Sequence, residues 1–194
     1  NLGVMHKNGQ GVAQGYAQAR EWWEKAAAQG DAQAQYNLGV MYHDGYGVAQ
    51  DYAQAREWWE KAAVQGHAEA QHNLGVMYHD GHGAAQDYAK AQDWFEKAAA
   101  QGFVEAQTNL GVMYYRGRGV ARDYAKAREW WEKAAAQGNA GAQSNLGVMY
   151  EYGQGVAQND AKAREWFEKA AAQTKNAENA EAVRKARQAL EKMR

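Results

Sequence analysis

The sequence predicts an all-α solenoid, a row of helical hairpins leaning on one another, and three observations carry that expectation. The string Asn-Leu-Gly-Val-Met begins at Asn1, Asn37, Asn73, Asn109 and Asn145, a step of 36 residues each time. A fixed period of roughly 20–50 residues marks units that cannot bury their apolar faces alone and must stack. Proline and isoleucine are both absent, which is odd for a sandwich or a parallel sheet. Finally, the apolar inventory is 42 Ala, 12 Tyr, 8 Trp and 6 Met against 12 Val and 6 Leu. Small residues let helix backbones approach, and large rings fill the gaps between them.

Each unit reads as two helices. In the second unit, helix A is expected from about Asp31 to Asp44, with Ala34, Leu38, Met41 and Tyr42 on one face, the i, i+4, i+7, i+8 spacing of an amphipathic helix. Gly45-Tyr46-Gly47 breaks it, since glycine tolerates the left-handed cap that ends many helices. Asp51 then caps helix B, with Asp87, Asp123 and Asn159 in the same place and Gly15 as a weaker cap in the first unit. Tyr52, Ala55, Trp59 and Ala62 form the stripe of helix B, widened by Trp58 and Ala63, and Gly66 stops it, as do Gly30, Gly102 and Gly138. The Trp58-type rings are expected to anchor the stack.

The expected organisation is a truncated first repeat at 1–30, full repeats at 31–66, 67–102, 103–138 and 139–173, and a capping helix at 174–194. In that last segment Val183, Ala186, Leu190 and Met193 make an apolar stripe among six basic and three acidic residues. A helix lying on a membrane surface is the competing reading of this stripe, but its apolar face has no aromatic residue. The opening at Asn1 has no counterpart of Asp31–Tyr36, which suggests an excerpt of a longer protein or an end closed by another chain.

Composition excludes several classes of function. The 194 residues carry 22 Lys+Arg against 23 Asp+Glu, without the basic surplus that neutralises nucleic-acid phosphates. No cysteine is present, so thiolate metal sites, thiol nucleophiles and disulfides are ruled out. No apolar run reaches the length of about 18 residues that crosses a bilayer.

The repeated pattern Ala-x-x-Asn-Leu-Gly-x-Met-Tyr-x-x-Gly-x-Gly-Val, followed by Asp-Tyr-x-x-Ala-x-x-Trp-x-x-Lys-Ala-Ala-x-x-Gly, runs from Ala34 to Gly66 and returns in each unit. It resembles the Sel1-like repeats, relatives of the tetratricopeptide repeats with slightly longer units. The resemblance covers about Asn1 to Gln173. It implies a right-handed superhelix whose concave wall is lined by the A helices and binds peptides or proteins. It also implies a bacterial protein, many members being exported to the periplasm or beyond. Cysteine-rich relatives linked to penicillin binding are not a guide here, because this chain has no cysteine.

No catalytic assembly is visible, and no enzyme activity or cofactor is expected. Ser144 is the only serine and lacks a Ser-x-x-Lys context. The five Gly-x-Gly pairs follow helices rather than strands, which makes them turns and not phosphate loops. Five acid–base pairs, Glu21/Lys25, Glu57/Lys61, Asp93/Lys97, Glu129/Lys133 and Glu165/Lys169, stand at i, i+4 on solvated faces. His6, His43, His67, His72, His79 and His82 crowd the first half; a metal site there is the lesser reading and polar surface the favoured one.

The functional signal lies where the units differ. Packing positions must recur because each meets the same neighbour, whereas a binding wall need not. On helix A the row Tyr36, Val40, His43 has the counterparts His72, Val76, His79, then Thr108, Val112, Tyr115, then Ser144, Val148, Glu151. The following turn also varies, with Asp44, Asp80, Arg116 and Tyr152 at one position and Tyr46, His82, Arg118 and Gln154 at another. Beside the row stand Asn37, Asn73, Asn109 and Asn145, one per unit. An amide donates and accepts at once and so suits a peptide backbone; in tetratricopeptide relatives, asparagines at this place hold a bound peptide. The alternative is that these asparagines bond within or between A helices and fix the stacking. The expected partner is a protein or peptide, with no nucleic acid and no membrane insertion. Self-association through an uncovered Leu2 and Met5 is a second expectation.

Overall fold

A computed structural model describes residues 12–173 and 180–193. Ten helices run through them, with no strand among the described residues: α1 Val12–Ala28, α2 Ala32–Asp44, α3 Tyr52–Val64, α4 Ala68–Asp80, α5 Tyr88–Ala100, α6 Val104–Arg116, α7 Tyr124–Ala136, α8 Ala140–Tyr152, α9 Asp160–Ala172 and α10 Ala180–Lys192. The chain forms two compact units, residues 1–97 and 98–194. The even-numbered helices from α2 to α8 are the A helices of the repeats, and the odd-numbered ones from α1 to α9 are the B helices.

The ends of these helices follow from their sequence. Asp31 and Asn139 accept the N3 amide of their A helix, from Ala34 and Ala142 at 2.7 and 2.8 Å, and Asp51, Asp87, Asp123 and Asn159 do the same for the B helices. Such a side-chain oxygen satisfies an amide that has no partner within the helix. At the other end of each A helix, Gly45, Gly81, Gly117 and Gly153 take positive φ and return their N–H groups to Met41, Met77, Met113 and Met149. Gly15 departs from expectation: it lies within α1 and is not its cap, because the helix begins at least one turn earlier than the repeat pattern indicates.

Inside a repeat, helices A and B meet through a glycine. A Cβ built on Gly75 would stand 2.5 Å from Cδ1 and Cε1 of Phe95, so the ring lies flat on bare backbone. Gly39 meets Trp59, Gly111 meets Trp131 and Gly147 meets Phe167 in the same way. The indoles add a hydrogen bond, Trp59 Nε1 donating to the Tyr36 carbonyl at 3.2 Å and Trp131 Nε1 to that of Thr108 at 3.1 Å. These rings are the deep anchors, at 1–3% exposure. The first ring of each pair, Trp58, Trp94, Trp130 or Trp166, is only half-buried, which corrects the expectation that Trp58-type rings hold the stack. Adjacent positions on a helix point about 100° apart, so only one ring of each pair can face the glycine.

Within each compact unit, helix B of one repeat packs on helix A of the next. In residues 1–97 one layer joins Tyr16 and Ala27 to Ala34, Leu38 and Met41, and a second joins Ala55, Trp59 and Ala62 to Ala70, Leu74 and Met77. In residues 98–194, Ala127, Trp131 and Ala134 pack on Ala142, Leu146 and Met149. There Val183 and Ala186 of α10 close over Phe167 and Ala170, with Leu190 and Met193 at the edge.

Two side-chain systems depart from the sequence reading. Gln35, Gln71, Gln107 and Gln143 are buried, and each donates Nε2 to the carbonyl eight residues earlier, that of Ala27, Ala63, Ala99 or Ala135, at 3.0–3.3 Å. These carbonyls lie in the last turn of the preceding B helix, where each also accepts the N–H of Gly30, Gly66, Gly102 or Gly138 at 3.0 Å and takes the glutamine on its second lone pair. The lysines at the end of helix B also differ. Of the five expected i, i+4 pairs, Glu165–Lys169 forms, at 2.7 Å. Lys61, Lys97 and Lys133 instead sit 4.0–4.1 Å from the ring centres of Trp58, Trp94 and Trp130. A half-buried indole face attracts an ammonium more strongly than a solvated carboxylate does.

Candidate functional site

Apart from the buried Ser144, the variable row of helix A is half-buried, beside the buried Leu38, Met41 and their counterparts. Val40 and Val76 are half-buried between Leu38 and Met41 in α2 and Leu74 and Met77 in α4. In residues 1–97 this row forms one wall of a concavity of about 360 Å³. Helix α2 contributes Tyr36, Val40, His43 and Asp44, and α4 contributes His72, Asn73, Val76 and Met77. Trp59 closes the floor, and His82 stands at the rim from the turn after α4.

Aromatic contacts hold these side chains in place. Tyr36 stacks on His67 with ring centres 4.7 Å apart. His43 meets Tyr52 edge-on and Trp59 at a tilt, each at 5.2 Å. His82 stacks on Tyr52 at 5.7 Å, and His72 lies 5.7 Å from Phe95. Nδ1 of His43 is 2.6 Å from Asp44 Oδ1, where an imidazole N–H donates to the carboxylate. His79 and Asp80 repeat this bond at 2.6 Å. Burial, reinforced by the carboxylate of Glu69, holds the Tyr36 hydroxyl above the ordinary phenol range, and a hydrogen bond with Asn73 acts in the opposite direction. Among the described residues no three His, Asp or Glu side chains converge to hold a metal ion, because His43 and His79 each turn to the aspartate beside them. His6, Leu2 and Met5 lie outside the described residues.

The asparagines divide between the two readings. Oδ1 of Asn37 accepts from Gln33 on the same helix at 3.1 Å, a bond within helix A. Asn73 lines the concavity and touches both Tyr36 and His72. Asn109 and Asn145 are half-buried. In residues 98–194, Thr108 turns its hydroxyl back to the Val104 carbonyl at 2.9 Å, and Ser144 is buried, at 8% exposure, so neither offers much surface. Tyr115 bonds Gln154 Oε1 at 2.6 Å and rests against Tyr124 and Trp131, while Arg116 is exposed. The structure thus brings together Tyr36, His43, His72 and Asn73 in residues 1–97. Asp44 and His82 join them from the varying turn positions that the sequence singles out, and Trp59 and Met77 join them without having been expected as site residues.

A family model described as Sel1 repeat matches residues 1–31, 32–67, 68–103, 104–139 and 140–175. The chain belongs to the Sel1 repeat family. Sel1 repeat proteins are in general non-enzymatic scaffolds for protein–protein interaction. The solved structure of c5321, a protective antigen of uropathogenic Escherichia coli strains displaying an SLR fold, is 49% identical with a TM-score of 0.77. The match covers 78% of this chain and 32% of that antigen, so the chain spans a minor part of it. A Sel1 repeat protein from Oxalobacter formigenes is 29% identical with a TM-score of 0.74, over 88% of this chain and 72% of that one. The cysteine-rich protein B of Helicobacter pylori shares the fold at 21% identity and a TM-score of 0.56, over 72% of this chain and 100% of its own. No curated protein matches the sequence.

Proposed function

We propose that this Sel1 repeat chain is a non-enzymatic scaffold that holds an extended peptide, or a peptide-like segment of a partner protein, against its A helices. One observation supports this above others: the positions that change from repeat to repeat, Tyr36/His72 and the turn residues Asp44 and His82, line a single concavity. Positions that must pack, such as Leu38 and Leu74, do not change. Asn73, whose position is asparagine in every repeat, stands beside the varying residues with an amide able to serve a backbone N–H and a carbonyl together. The repeat boundaries near 30, 66, 102 and 138, and the role of 174–194 as a cap, belong to the same reading: a closed stack leaves the A-helix wall as its variable surface.

The test is a selection of displayed random peptides on the whole chain, followed by binding of the selected peptides to Asn73→Ala and Val76→Asp. The reading expects affinity to fall by about tenfold or more, since one backbone-directed amide bond and a buried wall contact are each worth around 1–2 kcal/mol. Circular dichroism should stay unchanged. Peptides that bind both variants as well as the parent chain would place the partner elsewhere.

A further inference from the structure

The lining of the concavity in residues 1–97 combines several aromatic rings with one carboxylate, and that pairing has a chemical preference. With histidines counted as neutral at pH 7, Asp44 is the only formally charged residue in the lining. Its side chain is 34% exposed, so a visitor can reach it. His43 Nδ1 holds one oxygen at 2.6 Å, and the Tyr46 hydroxyl is a second donor to the same carboxylate. A carboxylate offers about four acceptor sites, so Asp44 is fixed in place and keeps acceptor capacity for a further donor. Its field is felt nearby: the negative charge of Asp44 is the leading cause that raises the Tyr46 hydroxyl above its ordinary range, and it contributes in the same direction at Tyr36.

We infer that this concavity receives an arginine side chain of the bound peptide, its guanidinium paired with Asp44 and laid against the rings of Tyr36, His43 and His82. The inference rests on the scaffold reading above and names the side chain that the first unit selects. A guanidinium is planar, carries its donors in a fork that matches a carboxylate, and is weakly enough hydrated to stack on aromatic faces. A terminal or side-chain carboxylate is the opposite choice, and Asp44 repels it. The cavity, at about 360 Å³, lies within the range of small-ligand sites, roughly 300–1,000 Å³, and so has room for one long side chain and the backbone that carries it.

The experiment is a titration of the whole chain, labelled for NMR, with three probes: N-acetyl-arginine amide, its neutral isostere N-acetyl-citrulline amide, and N-acetyl-glutamate amide. The arginine probe is expected to shift the ring signals of His43 and His82 and the side-chain amide of Asn73. Its affinity should exceed that of citrulline by roughly tenfold, the scale of one charge-assisted pair with an aromatic contact. Asp44→Asn should erase that difference, whereas Asp80→Asn, the same position one repeat on and outside the lining, should leave it intact. Equal shifts with arginine and citrulline, stronger binding of the glutamate probe, or an unchanged preference in Asp44→Asn would each overturn the inference. Selected peptides that depend on Asn73 but carry no arginine would refute the arginine pocket and leave the scaffold standing. Loss of peptide binding with the arginine preference intact would do the reverse.

Discussion

Replacing Gly75 by alanine reverses the usual sign of a helix substitution. In an open helix interior, glycine to alanine stabilises by about 0.5–1 kcal/mol, because alanine loses less backbone freedom on folding. At Gly75 the added methyl would stand 2.5 Å from two carbons of Phe95, a ring that is 1% exposed and has no room to retreat. Overpacking of this kind costs about 1–3 kcal/mol. The net expectation is a loss of about 0.5–2 kcal/mol, and a fall in melting temperature of roughly 2–6 °C for a chain of this length. Gly15 supplies the control: it too is helical, and nothing lies within 4 Å of a Cβ built there. Gly15→Ala should therefore raise stability by about 0.5–1 kcal/mol. Urea titration followed by circular dichroism measures both. If Gly75→Ala stabilises as Gly15→Ala does, the flat contact between ring and backbone is wrong, and with it the account of how helices A and B pair. Adding Phe95→Leu to Gly75→Ala should recover part of the loss, since a smaller side chain vacates the disputed space.

Further predictions follow from the same geometry. Phe95→Ala should cost about 3–5 kcal/mol, as deletion of a fully buried ring does, and Trp94→Ala clearly less, because that ring is half-buried beneath Lys97; equal losses in chemical denaturation would contradict the ranking. Gln107→Ala removes one of two bonds at the Ala99 carbonyl, which keeps the Gly102 N–H, and one of two from the Gln137 amide, which keeps the Gly102 carbonyl, so a loss of about 1–2 kcal/mol is expected, and Gln107→Leu should not rescue it. The bond from Lys169, and secondarily its charge, holds the exposed Glu165 carboxyl below the ordinary glutamate range. A depressed pKa means that the pair's contribution is present above the unfolded value and fades as pH falls through the folded one. Carboxyl NMR should accordingly show Glu165 titrating below the ordinary glutamate range, and Lys169→Met should raise it.

Much of the fold was legible because the repeat imposes it. Asp51 and Gly66 bound a helix wherever they recur, and Leu38, Met41 and Ala62 are buried as their spacing demands. The stripe through Trp59 was legible, but that Trp59 rather than Trp58 is the anchor was not, because both rings fit a widened apolar face. The decision comes from Gly39, whose missing side chain makes the seat for Trp59. Its recurrence at Gly75, Gly111 and Gly147 was the available signal. The buried glutamines escaped for a related reason: polarity alone assigns them to the surface, and only their unvarying return at Gln35, Gln71, Gln107 and Gln143 points inward. At the candidate site the variable row and the varying positions of Asp44 and His82 were readable, but periodicity does not describe the path of the turn that brings His82 beside them, nor that Trp59 and Met77 complete the lining.

The central claim is that the buried stripe builds the stack while the half-buried row beside it, which carries the varying residues, holds the partner. A photoreactive amino acid placed at Val76, on the wall of the concavity, and separately at Glu57, exposed on helix α3 and outside the lining, tests it with one selected peptide. Cross-links at 76 and none at 57 are the predicted result. Cross-links at 57 with none at 76 would contradict it.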